Sequence, residues 1–312
     1  MASPRDAFWA RVHRRADGLT PAQRAAFLAA IEGLKGDLST REVEGLVARG
    51  NIEEAVALAL SDQNVNRAFS RFRARQQLTT RDAVGYFGRD IPGVPRGTTG
   101  VSFNVLNPRV IDAVKQMDTV QMGKLTTDIR ETVRTVIRKG LEDGAGPRTT
   151  ARALRDVLGL APNQLAAIEN YEKALKGVDG AGSPLTRALR DRRYDGPTRR
   201  GTLTADQIEK ATAAYRRRMI AFNAETHART ATLDALKLGQ ELSWRDAIDK
   251  GYVTGQLMKQ WKTVGDDRVR PDHVAMEGET VPFESVYSNG EMVPGESTYN
   301  CRCLSIVFAQ RE

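Results

Sequence analysis

Residues 204–238 constrain the fold more than any other segment. Thr204 and Gln207 make a capping box, the side chain of each placed to satisfy the other's backbone amide. The stretch behind them continues as helix to Leu238, where Gly239 is placed to end it. At 1.5 Å per residue such a helix is roughly 50 Å long. A rod of that length stays folded only when packed on other helices, so the chain is expected to be mainly α-helical, with an elongated multi-helix body.

The first 90 residues read as short capped helices. Thr20-Pro21-Ala22-Gln23 is a capping box with proline at the first helical position, followed by Phe27, Leu28, Ile31 and Leu34, and Gly36 ends the run. Ser39 with Glu42 opens a second helix carrying Val43, Leu46 and Val47, closed by Gly50; Asn51 with Glu54 opens a third. Arg67, Arg71, Arg73 and Arg75 then alternate with Phe69 and Phe72. Repeated proline and glycine over Ile91–Gly100 exclude a helix and mark a boundary. Val110, Val114, Met117, Leu125, Ile129, Val133, Ile137 and Leu141 form one apolar stripe, with Arg130, Arg134 and Arg138 on another face. Helices are expected from about Thr150 to Leu158 and from Pro162 to Gly177. Gly177–Thr202 reads as a loose connector rich in arginine: Arg187, Arg190, Arg192, Arg193, Arg199 and Arg200.

After about Ser243 turn signals separate short apolar pieces, and Cys301–Phe308 is strand-like. The division expected is a helical domain over 1–90, a linker over 91–103, a central helical domain over 104–242 and a small β-containing module over 243–312.

With 312 residues, 40% hydrophobic and 28% charged, the chain can bury a core, and collagen-like or low-complexity classes are excluded. Apolar runs such as Ala55–Leu60 and Leu304–Ala309 are too short to span a bilayer, and Met1–Asp6 does not read as a signal peptide. Two cysteines indicate no disulfide framework, so a reducing cytoplasm is the expected setting for synthesis. The net charge of +8 favours polyanionic partners, or solubility alone.

No dinucleotide, phosphate-loop, nucleophile-elbow or zincin motif is present, and there are three histidines, His13, His227 and His273. The informative cluster is at the tail: Trp261-Lys262-Thr263, Asp266-Asp267-Arg268-Val269-Arg270, His273, Gly278, Phe283, Pro294-Gly295 and Asn300-Cys301-Arg302-Cys303. This order resembles the carboxy-terminal signature of Mu F-like phage head-morphogenesis proteins. Arg217–Thr230, with Ala235 and Gly239, is similar to the family's helix, and the likeness extends over roughly 105–310.

The resemblance implies a minor head protein inside the virion, associated with the portal protein and acting in head assembly, DNA packaging or ejection. It would have capsid or scaffolding protein as further partners and reside in the host cytoplasm during assembly. No enzymatic activity and no cofactor are expected. The alternative is a metal-dependent nuclease or transferase effector built on Glu225, His227 and His273; a third class is a DNA-binding protein outside any virion.

His273, Cys301 and Cys303 suit zinc, with Asp267 or Asp272 completing the shell. The family's cysteine-rich version has further ligands where Arg270 and Thr298 stand here, so docking rather than metal is expected to hold the tail. A Cys301–Cys303 cross-link and a cysteine nucleophile rank lower. Docking is assigned to Glu225, Arg229, Trp261, Asp267 and Arg270, with His273 and the Cys301–Cys303 strand against the helix around Glu225–Arg229 and Trp261 covering the seam. The connector arginines are assigned to non-specific DNA or an acidic protein surface.

Overall fold

A computed structural model describes residues 3–37, 41–95, 101–103, 107–296 and 298–310. Helices α1 (Pro4–Asp37), α2 (Arg41–Ala48), α3 (Ile52–Ala59), α4 (Asp62–Ala68), α5 (Ser70–Gly88), α6 (Pro108–Glu142), α7 (Pro147–Val157), α8 (Pro162–Leu175), α9 (Asp195–Arg200) and α10 (Ala205–Asp249) come in order. Strand β1 (Leu257–Lys262), the short α11 (Pro271–Ala275), β2 (Thr280–Pro282) and β3 (Leu304–Ala309) follow. The protein is therefore mainly α with a small three-stranded antiparallel sheet, in the order β2-β1-β3.

The Thr204–Gln207 box is present, with the Thr204 amide donating to Gln207 Oε1 at 3.0 Å and the Gln207 amide to Thr204 Oγ1 at 3.2 Å. The far end differs from expectation. Helix α10 passes through Gly239 and continues to Asp249, 45 residues in all. Gly239 is a site of close approach: a Cβ there would lie 2.3 Å from the Ala83 Cβ and 2.8 Å from the Thr80 carbonyl oxygen of α5. The terminator is Gly251, at φ 71°. Its amide bonds to Ile248 O at 2.8 Å and that of Tyr252 to Ala247 O at 2.9 Å, the paired pattern of a Schellman cap.

Thr20-Pro21 likewise starts no helix. Helix α1 runs through Pro21, and the buried Thr20 hydroxyl turns back onto the Ala16 carbonyl at 2.8 Å. Ser39, read as a cap, lies outside the described residues, while Gly50 closes α2 at φ 75° as expected.

The chain forms two compact units, both discontinuous in sequence: 1–26, 71–121 and 226–312 make the first, 27–70 and 122–225 the second. Consecutive domains divided at 90, 103 and 242 do not describe this grouping, because α1, α6 and α10 each lend residues to both units. Two described residues of the expected linker belong to the core. Ile91 and Val101 are buried with Val84, Leu242 and Trp244, and a Cβ on Gly93 (φ 85°) would meet Tyr252 O at 2.2 Å.

In the second unit, Leu160, Leu165, Ile168 and Tyr171 pack with Ala211 and Tyr215, the two tyrosine rings stacked at 4.3 Å. Arg130 donates to Leu60 O and to Asp62, both at 2.9 Å, and Arg134 to Glu53 at 3.0 Å. Two members of the basic stripe thus tie α6 to its own unit.

The arginine connector is folded rather than loose. Arg190 grips Asp195 with two bonds of 2.9 and 3.0 Å, Arg193 caps the buried Asp191, and Arg187 reaches Ala181 O. Arg192, Arg199 and Arg200 stay exposed.

In the first unit the sheet carries Leu257, Lys259 and Trp261 inward on β1, with Trp261 opposite Ser305 of β3 and Gln260 opposite Thr280 of β2. The buried Lys259 ammonium donates to Met292 O at 2.7 Å, and burial pushes its pKa down.

Gly239→Val is expected to cost at least about 2–3 kcal/mol in urea unfolding, since the added atoms meet backbone. Gly123→Ala, with nothing within 4 Å of its Cβ, is expected to stabilise by about 0.5–1 kcal/mol.

Candidate functional site

Asn300 begins the closing segment in the left-handed conformation (φ 61°), a region that asparagine tolerates better than most residues. Its amide donates to Thr230 Oγ1 of α10 at 2.9 Å. Beyond this bend, residues two apart share a side. Cys301 Sγ and Cys303 Sγ lie 3.5 and 3.6 Å from the same nitrogen, His273 Nδ1. Arg302 instead donates two 2.6 Å bonds to the carboxylate of Asp266, which holds that carboxyl below its ordinary pKa.

The Pro294-Gly295 turn makes room for the cysteines. Gly295 has φ 81°, and a Cβ there would sit 2.2 Å from the Cys301 Cβ and 2.7 Å from its sulfur. His273 stands on α11, entered through Arg270-Pro271, and the Arg270 guanidinium donates to Tyr299 O at 2.7 Å. Trp261 walls the cluster, its ring edge-to-face with His273 at 5.1 Å and with Tyr287 at 5.0 Å. His273, Cys301 and Cys303 are 2%, 5% and 3% exposed, so bulk water is kept from all three. Their donor atoms lie within 4.8 Å of one another. The Cys303 thiol and the Lys237 charge favour the thiolate of Cys301, while the same pairing resists ionisation of Cys303.

The closing segment rests on α10 and also on α1. Along α10, Lys237 Nζ donates to Pro294 O at 2.6 Å, Gln240 to Ser305 O at 3.1 Å, and His227 meets the Tyr299 ring at 4.9 Å. Leu233 and Leu236 pack with Leu304. From α1, Trp9 Nε1 and His13 Nε2 both donate to Arg302 O, at 2.9 and 3.0 Å. That bond fixes the proton on Nε2, leaving Nδ1 facing an Arg229 nitrogen at 3.4 Å. Burial, helped by the Arg229 charge, holds His13 down to about 4. His227, buried beneath Tyr299, is also held down to about 4.

The residues assigned to docking play other parts. Arg229 pairs with Asp17 of α1 at 3.2 Å. Trp261 packs inside the module rather than over a seam, and Arg270 braces the loop before Asn300. Asp267 is exposed, and its neighbour Asp266 makes the ion pair. Glu225 is an exposed residue of α10 belonging to the second unit. The tail is held to α10 instead by Thr230, Leu233, Leu236, Lys237 and Gln240.

Sequence reasoning missed Trp9, His13 and Lys237. One signal was available, an aromatic and an imidazole four apart on one helix face. Beside Lys237 a pocket of about 360 Å³ opens in the first unit, lined by Met117, Val120, Leu238 and Met292.

Two outcomes follow. Trp261→Ala is expected to cost about 3–5 kcal/mol as a buried aromatic, and to speed proteolysis of the tail; Asp266→Asn should cost far less. His13 and His227 bind protons more weakly folded than unfolded, so their neutral forms stabilise the fold above the unfolded value near 6.5. That stability is lost as pH falls toward 4, by about 1–2 kcal/mol per histidine between pH 7 and 5, readable as a falling melting temperature.

Residues 198–306 match the family model described as Phage Mu protein F like protein, about a third of the chain. No curated protein and no solved structure matches. The matched span runs from the end of α9 through α10 and the sheet into β3, and holds Trp261, His273 and the Cys-Arg-Cys segment. Over these residues the chain is similar to the Mu F-like phage proteins.

Proposed function

We propose that this protein is a minor head protein of a tailed phage, held at the portal inside the head, and that it acts in head morphogenesis as a structural component rather than an enzyme. The observation that carries the reading is the family match over α10 and the tail module. The geometry of that span supports a structural role. His273, Cys301 and Cys303 are closed off from solvent, and Arg302 and Lys237 are spent on internal contacts, with Asp266 and Pro294. Among the described residues no helix is long and apolar enough to cross a membrane.

The test is fractionation of lysates from virion-producing cells. The protein is expected to co-purify with heads and with portal protein, and not with tail tube. Recovery only as a free protein from such cells would overturn the proposal.

A second reading rests on Arg192, Arg199 and Arg200, which are exposed on the connector. We propose that they bind DNA phosphates without sequence preference. Replacing all three by glutamine is expected to flatten the dependence of log affinity on log salt by about 0.9 for each phosphate no longer neutralised. An unchanged slope on duplex DNA assigns them to a protein partner or to solvent.

A further inference from the structure

The donor atoms of His273, Cys301 and Cys303 converge within 4.8 Å of one another, the spacing a single metal ion needs. Both sulfurs approach one imidazole nitrogen, at 3.5 and 3.6 Å. A neutral imidazole has a single lone pair at that nitrogen, so it accepts from one thiol at a time, and the other is left to pair with its neighbouring sulfur. A metal ion between the three donors satisfies all of them at once. With metal–sulfur and metal–nitrogen bonds of about 2.3 and 2.05 Å and tetrahedral angles, the expected sulfur–nitrogen separation is about 3.6 Å.

From this geometry we infer that His273 Nδ1, Cys301 Sγ and Cys303 Sγ bind one zinc ion. Three further features fit. Asp272 Oδ2 lies 3.8 Å from His273 Nε2, across the ring from the sulfurs, where a carboxylate orients a metal-bound imidazole. Gly295 keeps free the space beside Cys301 that any side chain would fill. Two thiolates neutralise the ion, so it adds no net charge to a site enclosed by Trp261, Met276 and Tyr287.

These three side chains supply three of the four ligands of a tetrahedral ion, and Asp266, committed to Arg302, is not the fourth. Binding exchanges two thiol protons for the metal and joins the α11 loop to the closing segment, the kind of cross-link that a module of this size uses where a disulfide is unfavourable.

The experiment is titration of the reduced, metal-free full chain with Co²⁺, followed by Zn²⁺. Expected are a thiolate-to-cobalt charge-transfer band and tetrahedral visible bands saturating at one equivalent with release of the thiol protons, both bands then erased by zinc without further proton release. Cys301→Ser and Cys303→Ser should each weaken the charge-transfer band, and His273→Gln should shift the visible bands. Asp272 is exposed and its replacement leaves the core intact, so Asp272→Asn should fold and bind zinc about 10–100-fold more weakly. Zinc should also raise the melting temperature of the wild-type chain, reversibly with a chelator, a readout that needs no variant. A folded wild-type chain that gives no charge-transfer band, or a band unchanged in both cysteine variants, overturns the assignment.

Discussion

Helix α10 sets the terms for everything packed around it. A helix this long gains little from its own hydrogen bonds and depends on burial for stability. Between His227 and Lys237 most positions are buried, around most of the circumference. The residues there are chosen for different neighbours. Ala228, Ala231, Ala235 and Gly239 are small, and Gly239 lets the α5 backbone come within reach. Leu233 and Leu236 supply apolar packing to the closing strand. Thr230, Lys237 and Gln240 are polar yet buried, and each spends its side chain on the tail, through Asn300, Pro294 and Ser305. The tail has little core of its own, so these bonds decide where it sits.

Some of this was readable from sequence and some was not, for identifiable reasons. The Thr204–Gln207 box is a local signal and appears where expected. Gly239 and Gly251 are equivalent as letters, and only the approach of α5 makes one a crossing point and the other a cap. Thr20-Pro21 has the pattern of a helix start, yet tertiary packing carries α1 through it. At the site, the order of Trp261, His273, Cys301 and Cys303 placed these residues together. Their supports on α1 were half legible: Trp9 and His13 share a helix face, but their partner Arg302 lies some 290 residues away and no local pattern names it.

Charge composition misleads in a related way. An excess of eight positive charges suggests a surface made for polyanions. Much of the arginine is structural instead. Arg130 and Arg134 fasten α6, Arg190 and Arg193 shape the connector, and Arg302 locks the turn at Asp266. Planar guanidinium groups that pair bidentately suit this use. The charge left for an outside partner is therefore more localised than the total implies.

The double bond to the Arg302 carbonyl, one hydrogen bond from each of two side chains, also bears on the order in which the molecule can be made. Synthesis runs from α1 toward β3, so Trp9 and His13 wait without their acceptor while some 290 residues are added. The second unit has all its residues once Glu225 has emerged, but the first unit has only fragments until the sheet is complete. Folding of the two is thus staggered in time. Residues 4–26 of the first helix, Trp9 and His13 among them, therefore lack the segment they pack on until β3 has been made.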